Sequence, residues 1–340
     1  MRILLDAMGG DLAPREIVLG GLAGAKKYGV DLTLVGRGDE ILEVLRSEKI
    51  ETLPEGVEIL NADDVVDMHD VATDVLREHK GSSMVMGLKL LADGGGDAFV
   101  SAGSTGALLT GATLLVRRIR GIRRGAFGPI LPTATGHCLL VDSGANAECT
   151  PEFLLQFAVM GSFCAKKTLG IENPRVALLN IGTEDTKGTD LQRDAYVLLQ
   201  KADSQGLIHF IGNIEAREVP MGGTDVVVCD GFSGNVLLKS IEGTALMMSK
   251  EMKKVFTRSL WSKIGYLFCK GGVADFKKKM DYRETGGTLL LGISKPVIKA
   301  HGSADALAIE SAIRQAKQAV ESGICQAIAE NVSRMRLQKE

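Results

Sequence analysis

Aromatic side chains are scarce in this chain of 340 residues: they make up 4% of it, with a single tryptophan, while glycine reaches 41. That balance disfavours an all-β sandwich and favours an α/β architecture with many tight strand-to-helix turns. None of the six cysteines (Cys138, Cys149, Cys164, Cys229, Cys269, Cys325) forms a CxxC pair, and no histidine lies at metal-ligand spacing from one. A zinc site and a disulfide framework are therefore not expected, and a reducing compartment is. No apolar run reaches roughly 18 residues without a charge, so no membrane-spanning helix is expected. The carboxylate at Asp6 interrupts any signal-peptide core at the N-terminus, which makes a cytoplasmic location the expectation. Charge of one sign is also missing: 40 basic and 42 acidic residues leave a net charge of −2, so partners must be read from local clusters.

Apolar runs that end in Gly, Asp or Ser recur along the chain, at Arg2–Asp6, Asp31–Gly36, Asp97–Ser101, Cys138–Asp142, Val176–Gly182, Leu207–Gly212 and Val226–Asp230. Most are followed by a small-residue turn and a stretch of helical spacing. Short strands that are apolar on both faces and alternate with helices predict a mostly parallel sheet covered on both sides. Right-handed crossovers place the strand C-termini on one edge, where such sheets bind ligands. The turns there hold the candidate binding residues Asp6, Gly9 and Gly10; Ser101, Gly103, Ser104 and Thr105; Asn146; Gly182 and Thr183; and Asp230, Gly231, Ser233 and Gly234. Glycine permits close backbone approach, hydroxyl and carboxylate groups supply hydrogen bonds, and helix N-termini offer free N–H groups to an anion. No GxGxxG follows the first strand, no GxxxxGK[ST] occurs, and Gly231–Gly234 is one residue short of a GxSxG elbow, which weakens the dehydrogenase, nucleotide-hydrolase and esterase readings.

The ordered set DAMGGD (6–11), SAGSTGAL (101–108), VDSGAN (141–146), LNIGTEDTKG (179–188), FIGNIE (210–215), VCDGFSGNV (228–236) and SKPVIKAHGSA (294–304) resembles the bacterial acyl-ACP:phosphate acyltransferases of phospholipid synthesis over nearly the whole chain. His79 and Gly81 stand where that family has Lys and Asp, and Thr285 and Thr288-Leu289 vary its YxExGGAPLLG pattern. The resemblance implies a three-layer α/β/α fold, mostly parallel and like the isocitrate and isopropylmalate dehydrogenases; the residues themselves show no linker, so a single domain over 1–340 is expected, with a helical excursion at about 244–282. It also implies a homodimer with no organic cofactor and no metal. The implied reaction carries a long-chain acyl group from a carrier-protein thioester to inorganic phosphate, without a covalent enzyme intermediate. A membrane-bound glycerol-3-phosphate acyltransferase then consumes the product.

That reaction needs a cation and backbone N–H groups for phosphate, donors for the carbonyl oxygen, and a proton or charge for the thiolate. Lys187, the cation within a Gly/Thr-rich loop, is the candidate for phosphate or the oxyanion, with a solvated loop lysine as the competing role. Asn235 either donates to the carbonyl oxygen or caps a helix. Asp6 and Asp230 either orient Lys187 and move protons or cap helices. His301 is a candidate general acid or a structural histidine. Cys229, inside an apolar run, reads as a buried strand cysteine rather than an acyl-enzyme nucleophile. Arg117, Arg118, Arg120, Arg123 and Arg124 form a basic patch suited to an acidic carrier protein. The alternative there is a solvated face; nothing supports nucleic acid. Met248–Phe268 places apolar residues at helical spacing, and positions 250–279 hold nine Lys/Arg against two acids. One role is an interfacial helix on anionic membrane, with Phe256, Leu260, Trp261, Ile264 and Phe268 in contact; a core or dimer-interface helix is the other. Two other functions share these features: a coenzyme A-dependent small-acyl phosphotransacetylase and a non-catalytic acyl-carrier or lipid scaffold.

Overall fold

Ile3, Leu4 and Leu5 are fully buried in the first strand, so side chains leaving both faces of it enter apolar surroundings. Only a strand inside a covered sheet meets that condition. The computed structural model describes residues 1–67, 70–279 and 286–335. Thr285, the end of the expected excursion (280–282) and the tail from Arg336 onward lie outside the described residues.

Two sheets organise these residues. One contains β1 (Arg2–Asp6), β2 (Asp31–Gly36), β3 (Val57–Asn61), β4 (Ala98–Ser101), β5 (Ala126–Gly128), β11 (Gly287–Leu291) and β12 (Val297–Ala300), in the order β3-β2-β1-β4-β12-β11-β5. The other orders β6 (Ile130–Thr133), β7 (Gly136–Val141), β8 (Arg175–Asn180), β9 (His209–Glu215) and β10 (Val226–Val228) as β6-β7-β10-β8-β9. Parallel pairing dominates; β11 runs antiparallel to both β12 and β5, and β6 antiparallel to β7. The chain thus has an α/β fold with mostly parallel strands, as its alternating pattern implies, but the strand ends form two edges rather than one. Pro129 alone separates β5 from β6, and the chain changes sheet there.

Helices cover both faces of the first sheet. Ile3 and Leu5 meet α1 (Arg15–Tyr28) and α10 (Ala306–Glu321), while Leu4 meets α4 (Ser83–Ala92) and α5 (Thr105–Gly111) on the other side. Between these helices in the chain lie α2 (Gly38–Ser47) and the short α3 (Val75–Glu78). The second sheet packs one face on α6 (Pro151–Thr168) and α7 (Asp190–Ser204), with Val226 and Val228 in the cluster that also holds Ile3. Its other face packs Val227 and Cys229 on Leu237 of α8 (Gly231–Thr257). One core therefore runs beneath both sheets, closed by α11 (Ile324–Asn331).

Past Ala245, α8 leaves the body and returns as α9 (Leu260–Lys279). The Phe256 and Tyr266 rings meet at 5.3 Å across this hairpin. Its apolar stripe is otherwise open to solvent, with Trp261 82% and Phe268 88% exposed. Among the described residues no helix is long and apolar enough to cross a membrane.

Glycine decides the close approach of α1 to α10. A Cβ at Gly20 would lie 2.5 Å from the Ala306 carbonyl oxygen and 2.7 Å from Ile309 Cβ, and one at Gly24 would lie 2.8 Å from Ile313 Cβ. Gly20→Ala should therefore cost about 1–3 kcal/mol by overpacking, despite its better helix propensity. Gly243→Ala, on the open part of α8 with nothing within 4 Å, should gain about 0.5–1 kcal/mol. Urea unfolding measures both; equal, small effects would mean that α1 and α10 can separate without cost.

Candidate active site

Asp6, at the end of β1, is 1% exposed, and its carboxylate is surrounded by donors. The Ser83 and Ser101 hydroxyls each donate to it at 2.6 Å, and the Met8 amide at 3.3 Å. Ser101 Oγ in turn accepts from the Gly103 amide at 3.0 Å. Burial pushes the Asp6 carboxyl above its ordinary range, and the Ser101 and Ser83 hydrogen bonds pull it back. The packing leaves no room for side chains: a Cβ at Gly9 would lie 2.5 Å from Asp6 Oδ2 and 2.7 Å from the Gly103 nitrogen. Gly10, at φ +109°, turns the loop so that the Asp11 amide reaches the Gly302 carbonyl at 2.8 Å. Asp6 and Ser101, read from sequence as ligand-binding groups, thus use these bonds to join the 6–11 and 101–106 loops and the start of α4, while the Asp11 amide ties in the 301–303 loop. Ser104 is 9% exposed, and Thr105 lies exposed at the start of α5.

Lys299 lies one strand over, level with Ser101 in the β12–β4 register. Its ammonium donates to the Ala102 carbonyl at 3.3 Å and to the Ala300 carbonyl. Burial drives its pKa down to about 8, Lys239 adds to the depression, and Asp6 and Asp11 oppose it. His301 follows on the same loop, with its surface exposed and Nδ1 accepting from the Ser303 amide at 3.3 Å. Desolvation and then Lys239 push this imidazole below its ordinary value.

The second sheet repeats the device. Asp142, directly after β7, is fully buried. Its carboxylate accepts from the amides of Phe127 (2.8 Å), Ser143 (2.7 Å), Ala145 (3.3 Å) and Asn146 (2.7 Å), and from Asn146 Nδ2 (3.0 Å). Burial raises this carboxyl too, against the pull of those donors. Asn146 Nδ2 also donates to the Gly125 carbonyl at 2.8 Å. The next loop lies on this one: a Cβ at Gly231 would meet Asp142 Oδ2 and the Asn146 carbonyl oxygen at 2.7 Å, and one at Gly234 would overlap the Asp142 carbonyl. Asp230 caps α8, accepting from the Ser233 amide and hydroxyl at 2.8 Å each. Asn235 is exposed at the start of the second turn of α8, beside Gly144.

β10 also pairs with β8, so the loop carrying Lys187 stands at the neighbouring strand end. Asn180 shapes that loop, its amide donating to the Lys187 carbonyl at 3.1 Å and its oxygen accepting from Ile181 N–H at 2.8 Å. Gly182 is buried against the Glu184 carboxylate and the Lys187 stem, while Thr183 is exposed. The exposed Lys187 ammonium makes no hydrogen bond or ion pair among the described residues.

α8 starts at the second edge and carries charge toward the first. Lys239, one turn beyond Asn235 and paired with Glu242 at 2.7 Å, acts electrostatically on both Lys299 and His301 of the first sheet. Lys299 is absent from the sequence-derived site; the signal it offered was a lysine within the apolar run Val297–Ala300, directly before the 301–304 turn. Cys229 is buried and donates to the Asp142 carbonyl at 3.4 Å, and burial holds its thiol well above the ordinary range, which suits no nucleophile. His79 sits between Asp64 (3.0 Å) and Asp70 (3.4 Å) on the approach to Ser82-Ser83.

The five arginines at 117–124 are all exposed, while Ile119 and Ile122 between them are buried as anchors. Buried Gln156 fixes the segment, accepting from the Arg123 amide at 2.9 Å and donating to the Gly121 carbonyl at 3.0 Å.

Residues 1–327 match the family model described as fatty acid synthesis protein. The phosphate acyltransferase of Thermoanaerobacter pseudethanolicus is 44% identical over 336 residues, covering 98% of each chain. The phosphate acyltransferase of Desulfitobacterium hafniense strain DCB-2 is 45% identical over 341 residues, covering all of both. Among solved structures, a phosphotransacetylase from Streptococcus pyogenes shares the fold at a TM-score of 0.61 and 19% identity, covering 94% of each chain.

Five N–H groups converge on the Asp142 carboxylate, so an amide there must turn a donor toward donors. Asp142→Asn should cost about 1–3 kcal/mol or more in urea unfolding and loosen the 142–146 loop. Unchanged stability would mean that the loops are held by something other than this carboxylate.

Proposed function

The chain belongs to the fatty acid synthesis protein family, that of the phosphate acyltransferases, and from that membership we propose that its acyl donor is a long-chain thioester of acyl carrier protein. It is an acyltransferase that acts on phosphate. The observation that carries the finer reading is the construction of α8: its N-terminal end holds Asn235 at the strand edge, and its far end carries an exposed, basic, apolar hairpin. An enzyme for short acyl groups has no use for such a surface, whereas one whose product has a long acyl tail does.

In this reading phosphate lies at the second-sheet edge, held by Lys187 and Thr183 and bordered by Gly182 and the 231–234 turn at the start of α8. Phosphate dianion is itself a competent nucleophile, so it attacks the thioester carbon directly, and positioning supplies much of the rate. Asn235 donates to the developing oxyanion. Gly9, Gly10, Gly103, Ser104 and Thr105 border the first-sheet side, where the thioester arm enters. Arg117, Arg118, Arg120, Arg123 and Arg124 dock the acidic carrier, and exposed charge of one sign steers such encounters. Phe256, Leu260, Trp261, Ile264 and Phe268 rest the hairpin on the inner face of the plasma membrane, where a membrane-bound glycerol-3-phosphate acyltransferase takes the product. The active unit is a homodimer in the cytoplasm and needs no cofactor.

Incubating the protein with palmitoyl-carrier protein and inorganic phosphate should yield acyl phosphate, trapped by hydroxylamine as the hydroxamate. Acetyl-coenzyme A should be a poor donor by comparison; the reverse preference would assign a small-acyl phosphotransacetylase, and no product from either would leave only a scaffold.

Replacing Leu260, Trp261 and Ile264 with Asp should release the protein from anionic vesicles and leave turnover with soluble donor within about twofold, since the chemistry lies at the sheet edges. Sedimentation with vesicles and analytical ultracentrifugation read the two effects. Loss of the dimer or the fold would place the stripe against protein instead.

A further inference from the structure

Lys299 is a half-buried cation without a carboxylate partner. Buried ammonium groups are normally paired, because removing one from water is otherwise costly. Here, among the described residues, no carboxylate oxygen comes within ion-pair distance, and the cation donates only to the carbonyls of Ala102 and Ala300. An ammonium has three N–H bonds, so one remains for a ligand. The groups around it come from every neighbouring element: Asp6 on β1, Asp11 in the following loop, His301 beyond β12, and Lys239 on α8. Asp6 is occupied by two serine hydroxyls and Lys239 by Glu242. The Ala102 carbonyl that steadies the ammonium belongs to the 101–106 loop, so the unspent N–H lies where the first-sheet loops meet beneath α8.

Resting on the acyl-transfer reading, we propose that Lys299 is the general acid that protonates the departing thiolate. A phosphate oxygen forms the new C–O bond at the thioester carbon. The C–S bond breaks with its electron pair on sulfur, and sulfur takes a proton from the Lys299 ammonium. The hydroxyl of the attached phosphate, made more acidic by acylation, returns a proton to the amine. Free thiol and acyl phosphate leave, and the enzyme regains its starting charge. An alkyl thiol has a pKa of about 8.5, so an ammonium depressed to about 8 transfers its proton nearly without cost. His301 is poorly suited to this role, since its Nδ1 is engaged by Ser303 and its imidazole is biased toward the neutral form.

The test compares leaving groups. Wild type, Lys299→Met and Lys299→Arg are assayed by hydroxylamine trapping with two palmitoyl thioesters, one of pantetheine and one of an acidic aryl thiol that departs without a proton. Both variants should lose on the order of 10²–10³-fold in kcat with the alkyl thioester, keep the phosphate KM, and stay within about tenfold of wild type with the aryl one. Wild-type turnover of the alkyl thioester should fall above about pH 8, and the aryl reaction should not. Equal losses on both thioesters, or a raised phosphate KM at unchanged kcat, would overturn the assignment. If neither variant folds, the wild-type pH profiles decide: parallel profiles for the two thioesters refute it. Failure of wild type with every thioester would instead sink the acyl-transfer reading, before any variant is considered.

Discussion

A carboxylate taken out of water must be given hydrogen bonds in exchange, and two of them dictate the shape of this molecule's loops. Asp6 and Asp142 end or follow strands in the two sheets, each beyond the reach of solvent. The donors that compensate them come from Ser83, Ser101 and Met8 in one case, and from Phe127, Ser143, Ala145 and Asn146 in the other. Each set spans separate chain segments, so a satisfied carboxylate is also a positioned set of loops. The glycines follow from this: Gly9, Gly231 and Gly234 sit where a single methyl group would strike the clamp. The Gly231 amide donates to the Asn146 carbonyl at 2.7 Å and the Gly234 amide to the Asp230 carbonyl at 3.0 Å, so the turn is held in place by the protein's own groups.

Division of labour across α8 is the second consequence. Its start is fixed by the Asp230 cap and the Asp142 loop, its next turn brings Lys239 near the first sheet, and its far half leaves the body as an exposed hairpin. In the proposed reading this helix, packed on the second sheet and carrying the Lys239 charge toward the first, lies between the phosphate on one edge and the thioester on the other. The depressed Lys299 marks the same junction. A fold that keeps a half-buried ammonium among four titratable neighbours sacrifices stability there, as sites of chemistry commonly do.

Much of the first sheet was legible because its strands are buried on both faces: the runs Arg2–Asp6 and Asp31–Gly36 coincide with β1 and β2. β9 begins two residues later than its apolar run, at His209, because its exposed edge follows the loop rather than the core. β3, β5, β6 and β11 carry no such signal, being half-exposed, three or four residues long, or antiparallel to their neighbours. Without them the split into two sheets is invisible, since the switch turns on one proline between β5 and β6. At the site the pattern of Gly, Asp and Ser was readable, but which oxygens serve substrate and which serve the fold was not. Asp6, Ser101 and Asp230 look alike in sequence to ligand-binding groups, and only their partners show them spent on loops and a helix cap. Lys299 stayed hidden because nothing in a short apolar run shows that its lysine will be half-buried without a carboxylate partner once the chain is packed.

The most direct measurement of this account is a crystal structure with inorganic phosphate and an unreactive thioether analogue of an acyl-pantetheine. Phosphate should lie on the second-sheet edge between Lys187 and the 231–234 turn, with the thioether sulfur within about 3.5 Å of Lys299 Nζ, as hydrogen bonding to sulfur requires. Phosphate on Lys299, with the sulfur lodged elsewhere, would contradict it.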